Sequence, residues 1–267
     1  MTDFGTILLG IVQGLTEFLP VSSSGHLVLF EHFLGFKEPE LLLDTSLHMG
    51  TLMAVCIFFG DDLKKMCQET WAVITRKEGM SFKCNRHASV TLMVIIGSLP
   101  TALMGFIFKD WIEPFFSSVI IAGAMLLCTG GIVGITRLIP RSHNTRNQVT
   151  PLMALAVGTA QGLAIMPGIS RSGATIVCAL LLGLNRDMAG RFSFLLSIPA
   201  IVGAVALQLN AEALGRVGAV PLLLGFITSA LVGLLALRIL MGMIRAGHLY
   251  YFAPYCWMAG LAIILFV

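Results

Sequence analysis

The chain is written in long apolar blocks separated by short polar ones. A helix that crosses a bilayer needs about 20 mostly apolar residues. Six segments meet or approach that length: 45–60, 88–108, 115–138, 192–209, 218–240 and 250–267. Two further apolar regions are broken in the middle, 4–36 by FLPVSSSGH and 151–184 by MPGISRSG. Each half of these is about 15 residues, too short to cross comfortably. Backbone that leaves the helix at membrane depth is tolerated only where protein or a watery cavity surrounds it. Both regions are therefore expected to be re-entrant helical hairpins whose tips line a site. The predicted fold is an all-α polytopic membrane protein, with six transmembrane helices and two re-entrant hairpins in a single membrane domain, 1–267.

The two broken regions resemble each other. An offset of 148 pairs Gln13-Gly14-Leu15 with Gln161-Gly162-Leu163, Ser22 with Ser170, Ser24 with Ser172 and Gly25 with Gly173. A weaker echo at an offset of 128 sets Gly97, Ala102, Leu103 and Gly105 against Gly225, Ala230, Leu231 and Gly233. The chain reads as two homologous halves, about 1–140 and 150–267. Each half is a hairpin plus three spans. Three is odd, so the second half should be inverted relative to the first, with the two tips meeting inside the membrane.

Composition agrees with the bilayer as solvent. Of 267 residues, 57% are hydrophobic and 12% charged, against roughly 45–50% and 25% in a soluble domain. The mean hydropathy is +0.90. A net charge of +3 is too small to suggest a nucleic-acid partner. The placement of the basic residues says more. If each hairpin returns to its own side, one face holds Lys64, Lys65, Arg76, Lys77, Lys83, Arg86, Arg137, Arg141, Arg146, Arg186, Arg191, Arg238 and Arg245. The other holds Lys37, Lys109 and Arg216, and Arg171 lies in the second hairpin. The richer face is cytoplasmic by the positive-inside rule. The six cysteines show no CxxC pair or metal-type spacing, and no disulfide framework is expected. The first apolar stretch has no basic residue before it, so a cleaved leader is not expected.

Ionisable groups within apolar segments are costly and are functional candidates. The first hairpin offers Glu17 and His26, the second Arg171, and Asp44 and His48 stand at the entry to the first span. Gln13 and Glu17 are four apart and share a helix face. Glu17 could bind a divalent cation, act as a base, or cap amides of the turn after Pro20. Ser22, Ser23 and Ser24 could be nucleophile, phosphate ligands or helix N-caps. His26 could take a proton from a hydroxyl or attack phosphorus itself, or serve the structure alone. In PGISRSG, small residues let backbone amides approach an anion and the following helix N-terminus adds a positive dipole. Arg171 would grip phosphate oxygens bidentately, Thr175 adds a donor one turn on, and a structural pairing of Arg171 with Glu17 is the competing role. These residues favour an enzyme acting on a phosphorylated lipid. A transporter of an anionic substrate remains the alternative.

QGLTEFLPVSSSGH, from Gln13 to His26, resembles the first signature of the undecaprenyl-diphosphatases, also called bacitracin-resistance proteins, and PGISRSGAT, from Pro167 to Thr175, resembles the second. LDTSLHMGTLMAV after residue 43 and FSFLLSIPA from Phe192 are also similar to family segments. The resemblance runs essentially end to end. It implies a phosphoric anhydride hydrolase of the bacterial inner membrane, which converts undecaprenyl diphosphate to the monophosphate and inorganic phosphate. That step recycles the lipid carrier for peptidoglycan synthesis and confers bacitracin resistance. It also implies a divalent cation, Mg2+ or Ca2+. The family's first motif is Glu or Gln, three residues, then Glu. Gln13 supplies no charge here, so Glu17 would be the principal acid and metal ligand, with Gln13 behind it. The catalytic set would be Glu17, Ser23, His26 and Arg171. Ser22, Ser170, Arg171, Ser172 and Thr175 would bind phosphate. A flippase for the undecaprenyl phosphate carrier is the alternative function, and a homodimer is left open.

Overall fold

Apolar backbone in a bilayer must satisfy its own hydrogen bonds, and this chain does so by helices alone among its described residues. The computed structural model describes residues 3–33, 41–75, 81–82, 84–112, 114–115, 118–140, 143, 145–208 and 218–266. Lys37, Arg76, Lys77, Lys83, Arg141 and Arg216 lie outside the described residues, as do 34–36, 116–117, 209 and 267 of the expected segments.

The first hairpin is α1 (Asp3–Phe18) and α2 (Ser23–Phe33), followed by α3 (Leu41–Phe58), α4 (Gly60–Ile74), α5 (Arg86–Ile112) and α6 (Val119–Gly134). The second is α7 (Pro151–Leu163) and α8 (Arg171–Leu181), followed by α9 (Arg186–Gln208), α10 (Ala219–Ala246) and α11 (Phe252–Phe266). The offset of 148 carries α2 onto the same bounds as α8. Five helical stretches among the described residues are long and apolar enough to cross a membrane, and α3 joined to α4 makes a sixth bent by 74°. The crossing helices expose large apolar side chains such as Leu99, Phe106, Leu223 and Phe266, as lipid-facing surfaces do.

Two expectations need correction. The segment 61–87 is not a plain loop, because α4 occupies its first half. Asp61, Asp62, Lys64, Lys65 and Glu69 make α4 too polar to continue the span, so the chain turns at Phe59 and α4 leaves the line of α3. Also, α9 and α10 run further toward the basic face than expected, so Arg186, Arg191 and Arg245 are helical residues.

The basic residues gather at one end. Arg191 pairs with Asp62 of α4 at 2.6 Å and with Asp187 at 2.7 Å, and Asp187 also accepts from Arg245 of α10 at 2.7 Å. Glu69 accepts from the His87 ring and from the amides of His87 and Ala88, capping α5 from outside the membrane. Burial pushes the Glu69 carboxyl up, but the His87 ring and the two amides outweigh this and hold it below the ordinary carboxylate range. Arg146, just before α7, exchanges backbone hydrogen bonds with Gly183 and Asn185, just after α8. The second hairpin therefore begins and ends at the basic face. The first belongs to the other face: Thr6 lies against Gly225 near the start of α10, and Ser46 donates to the Leu222 carbonyl at 2.7 Å. The hairpins enter from opposite sides, as an inverted repeat requires.

Each hairpin packs on the opposite half through small residues, which let membrane helices approach closely. A Cβ at Gly10 of α1 would lie 3.1 Å from the Gly225 carbonyl of α10, and one at Gly158 of α7 would collide with the Gly97 carbonyl of α5. Gly10 and Gly158 are related by the offset of 148, Gly97 and Gly225 by 128. The weaker sequence echo thus marks the surfaces on which the hairpins dock.

Candidate active site

The breaks in the two hairpins touch. A Cβ at Gly25 would sit 3.2 Å from Gly168 Cα, and one at Gly173 would sit 3.2 Å from Pro20 Cβ. The second turn is left-handed at Gly168, with φ +94°, where any side chain would collide with the Ala122 carbonyl of α6. Thr129 of α6 pins that turn, donating to the Gly168 carbonyl at 2.8 Å and accepting from the Ser170 amide at 3.0 Å. The first turn puts its left-handed residue at Ser22, φ +66°, the only described non-glycine residue with positive φ. Such strain persists only where the surroundings over-determine it.

Glu17, 7% exposed, is the hub. Its Oε2 accepts from the Ser23 hydroxyl at 2.5 Å and from Gln13 Nε2 at 3.0 Å. Its Oε1 accepts from Arg171 of the opposite hairpin. His48 of α3 presents Nε2 at 3.9 Å from the same carboxylate, while its Nδ1 donates to the Asp44 carbonyl at 2.7 Å. The sequence grouped Glu17, Ser23 and Arg171, and the structure brings them together, including the Arg171–Glu17 pairing first weighed as a structural lock. A buried charge pair of this kind contributes little net stability, but losing one partner strands the other.

The serines divide their tasks. Ser170 caps α8, accepting from the Gly173 amide at 3.1 Å, and shares a hydroxyl contact of 3.1 Å with Ser172. Ser22 accepts from the Gly25 amide at 3.3 Å, and Thr175 donates to the Arg171 carbonyl at 2.9 Å. His26 has both ring nitrogens engaged. Nδ1 donates to the Ser22 carbonyl at 2.8 Å, so Nε2 accepts from Tyr255 of α11 at 2.7 Å, and the two rings stack. His26 thus ties the strained turn to α11. Nothing in the sequence pairs Tyr255 with His26, since they are 229 positions apart.

A small cleft adjoins this cluster, lined by Glu17, Phe18, Arg171, Ser172, Thr175, Ser193, Phe194 and Ser197. Ser22, Ser23, Ser170 and His26 do not line it. The contribution of α9 was missed; the FSFLLSIPA stretch contains it, but no local pattern distinguishes a serine facing a cleft from one facing a helix. Among the described residues no three His, Cys, Asp or Glu side chains converge to hold a metal. Gln13 Oε1, fully buried, has no hydrogen-bond partner. That amide meets Glu17 through its Nε2, so the Glu17 carboxylate and the Ser23 hydroxyl are the hard oxygens gathered here, of the kind a divalent cation takes.

Residues 6–262 match the protein family described as "Bacitracin resistance protein BacA". The chain belongs to this family. Its relatives include proteins named undecaprenyl-diphosphatase from Desulfatibacillum aliphaticivorans, 48% identical over 97% of this chain and 96% of the relative, and from Desulforapulum autotrophicum, 42% identical over 97% and 96%. A third of that name, from Halothermothrix orenii, is 41% identical over 99% of this chain and 98% of its own. The BacA match covers both hairpins and the α9 wall of the cleft, so the whole site lies within the family region.

Proposed function

We infer that this BacA-family protein hydrolyses undecaprenyl diphosphate to undecaprenyl phosphate and inorganic phosphate, recycling the lipid carrier of peptidoglycan synthesis in a bacterial inner membrane. The observation that carries the chemistry is the Ser23 hydroxyl held 2.5 Å from a buried carboxylate that also meets Arg171. A hydroxyl is a weak nucleophile until a base takes its proton, and Glu17 is within reach to do so. Ser23 Oγ attacks the terminal phosphorus as its proton passes to Glu17. The bond from that phosphorus to the bridging oxygen breaks, and the lipid phosphate leaves. Water then hydrolyses the phosphoserine, releasing inorganic phosphate and restoring the hydroxyl. On substrate entry the Arg171 guanidinium transfers from Glu17 to the diphosphate oxygens, which freely accept a fork of N–H donors. That transfer leaves Glu17 free to act as the base. His26, with both nitrogens engaged, holds the Ser22 turn so that Ser23 keeps its place.

A divalent cation of the Mg2+ or Ca2+ type would be held by Glu17 with the Ser23 hydroxyl, and Gln13 would stand behind Glu17. When bound it neutralises charge on the phosphate oxygens. The deciding experiment is phosphate release from undecaprenyl diphosphate by purified protein in detergent, wild type beside Glu17→Ala, with and without chelator. Release by wild type, with a loss of about 10²-fold or more in the variant, is expected. Folded wild type that releases no phosphate with cation added would sink the enzyme reading in favour of a lipid-phosphate flippase.

A further inference from the structure

Cleft hydroxyls on the second hairpin are committed within the protein, and so is Ser197 of α9, which donates to the Phe194 carbonyl at 2.8 Å. Ser193 of α9 differs. It is 2% exposed, lines the cleft beside Arg171 and Thr175, and its hydroxyl has no hydrogen-bond partner. A buried hydroxyl left unpaired is costly. Such a group beside a guanidinium is suited to an anionic oxygen, which a ligand supplies and an apolar lipid chain does not. Arg171 and Glu17 both line this cleft, whereas Ser23 does not. Arg171 thus has two hydroxyls in its surroundings: Ser23, which shares the Glu17 carboxylate with it, and Ser193, which lines the same cleft on α9.

We propose that Ser193 is a substrate-binding residue that donates to a non-bridging oxygen of the diphosphate, marking a phosphate subsite on the α9 side of Arg171. The two phosphates then straddle the guanidinium, one meeting Ser23 and the other Ser193. This assignment rests on the diphosphatase reading above, and it adds a donor from a helix outside both hairpins.

The test compares wild type with Ser193→Ala and with Ser193→Cys, which keeps the volume but weakens the donor. Three quantities are read: kcat/KM for undecaprenyl diphosphate, inhibition by inorganic pyrophosphate, and the thermal midpoint in detergent. Both variants should lose about tenfold in kcat/KM, the worth of one hydrogen bond to a charged group, and pyrophosphate inhibition should weaken in parallel. The thermal midpoint should stay level or rise, because an unpaired buried hydroxyl has been removed. Thr70→Val, which deletes another partnerless hydroxyl far along the chain on α4, should leave all activity readouts unchanged. A fall in thermal midpoint with kcat/KM and pyrophosphate inhibition within twofold of wild type would overturn the proposal and make Ser193 a packing residue. Wild type that neither releases phosphate nor is inhibited by pyrophosphate would instead defeat the diphosphatase reading itself.

Discussion

The two hairpins share second helices of equal length, three glycines and two serines at the offset of 148, and the same kind of break, yet they carry opposite charge. At the offset of 148, Glu17 corresponds to Ile165, Ser23 to Arg171 and His26 to Ala174. The first hairpin holds the carboxylate and the hydroxyl; the second holds the guanidinium. The turns differ as well. The second places its left-handed residue on Gly168, where it costs little, and leaves Ser170 at φ −74° as an ordinary N-cap. The first places it on Ser22, next to Ser23. One copy of the fold is thus relaxed and presents Arg171 to the other. The other is strained and aims a hydroxyl, with His26 and Tyr255 holding the strain in place. A duplicated scaffold brought into contact tip to tip gives the two signs of charge that phosphoryl transfer needs, without either hairpin having to carry both.

The comparison can be broken at the residues that distinguish the copies. Ser23→Ala removes the proposed nucleophile and should lower phosphate release by about 10³-fold or more, with the thermal midpoint in detergent near wild type. Activity near wild type would take Ser23 out of the reaction. Gly168→Ala forces a side chain into a left-handed turn and toward the Ala122 carbonyl, and should destabilise the protein by about 3 kcal/mol. Ser22→Gly, the matching change in the strained copy, relieves backbone strain as it removes a cap, and should stay within about 1 kcal/mol of wild type. Equal effects of the two changes on the midpoint would deny the asymmetry of the turns.

His26 sharpens the contrast further. His26→Ala should cost about 10²-fold through loss of alignment. His26→Asn, which can still donate to the Ser22 carbonyl, should recover about tenfold of that, with an unchanged pH profile. A His26→Asn protein as inactive as His26→Ala, or one lacking a limb of the pH–rate curve, would make His26 a proton carrier. The smallest effect lies outside the site. Glu69→Ala removes the cap of α5 and should cost about 1 kcal/mol. Because the folded Glu69 carboxyl is held below its ordinary value, its contribution is fully present above that value and fades as pH falls through the depressed one. The difference in midpoint between wild type and Glu69→Ala should therefore narrow on acidification.

Much of this was readable from local composition. Apolar block lengths gave the spans, because a bilayer demands unbroken helices of fixed length. The Pro-, Gly- and Ser-rich breaks gave the hairpins, because such backbone is tolerated at membrane depth only around a site. Glu17, Ser23 and Arg171 stood out because charge and hydroxyls are rare in such surroundings. The helix α4 was missed because its polar face removes the apolar signal; it packs against α5 and is tied to α9 by the Asp62–Arg191 ion pair.

The sequence by itself determined the class of fold, the spacing of the repeat, and the two motifs that carry opposite charge, since each is a property of local composition or of spacing along the chain. Tertiary structure alone decided that Arg171 meets Glu17 across the hairpin interface, and that the nitrogens of His26 are taken up by the Ser22 carbonyl and Tyr255. It also decided that Ser193 of α9 faces the cleft without a partner. Those facts depend on which helix faces lie together, and helix packing joins residues that no local rule can pair.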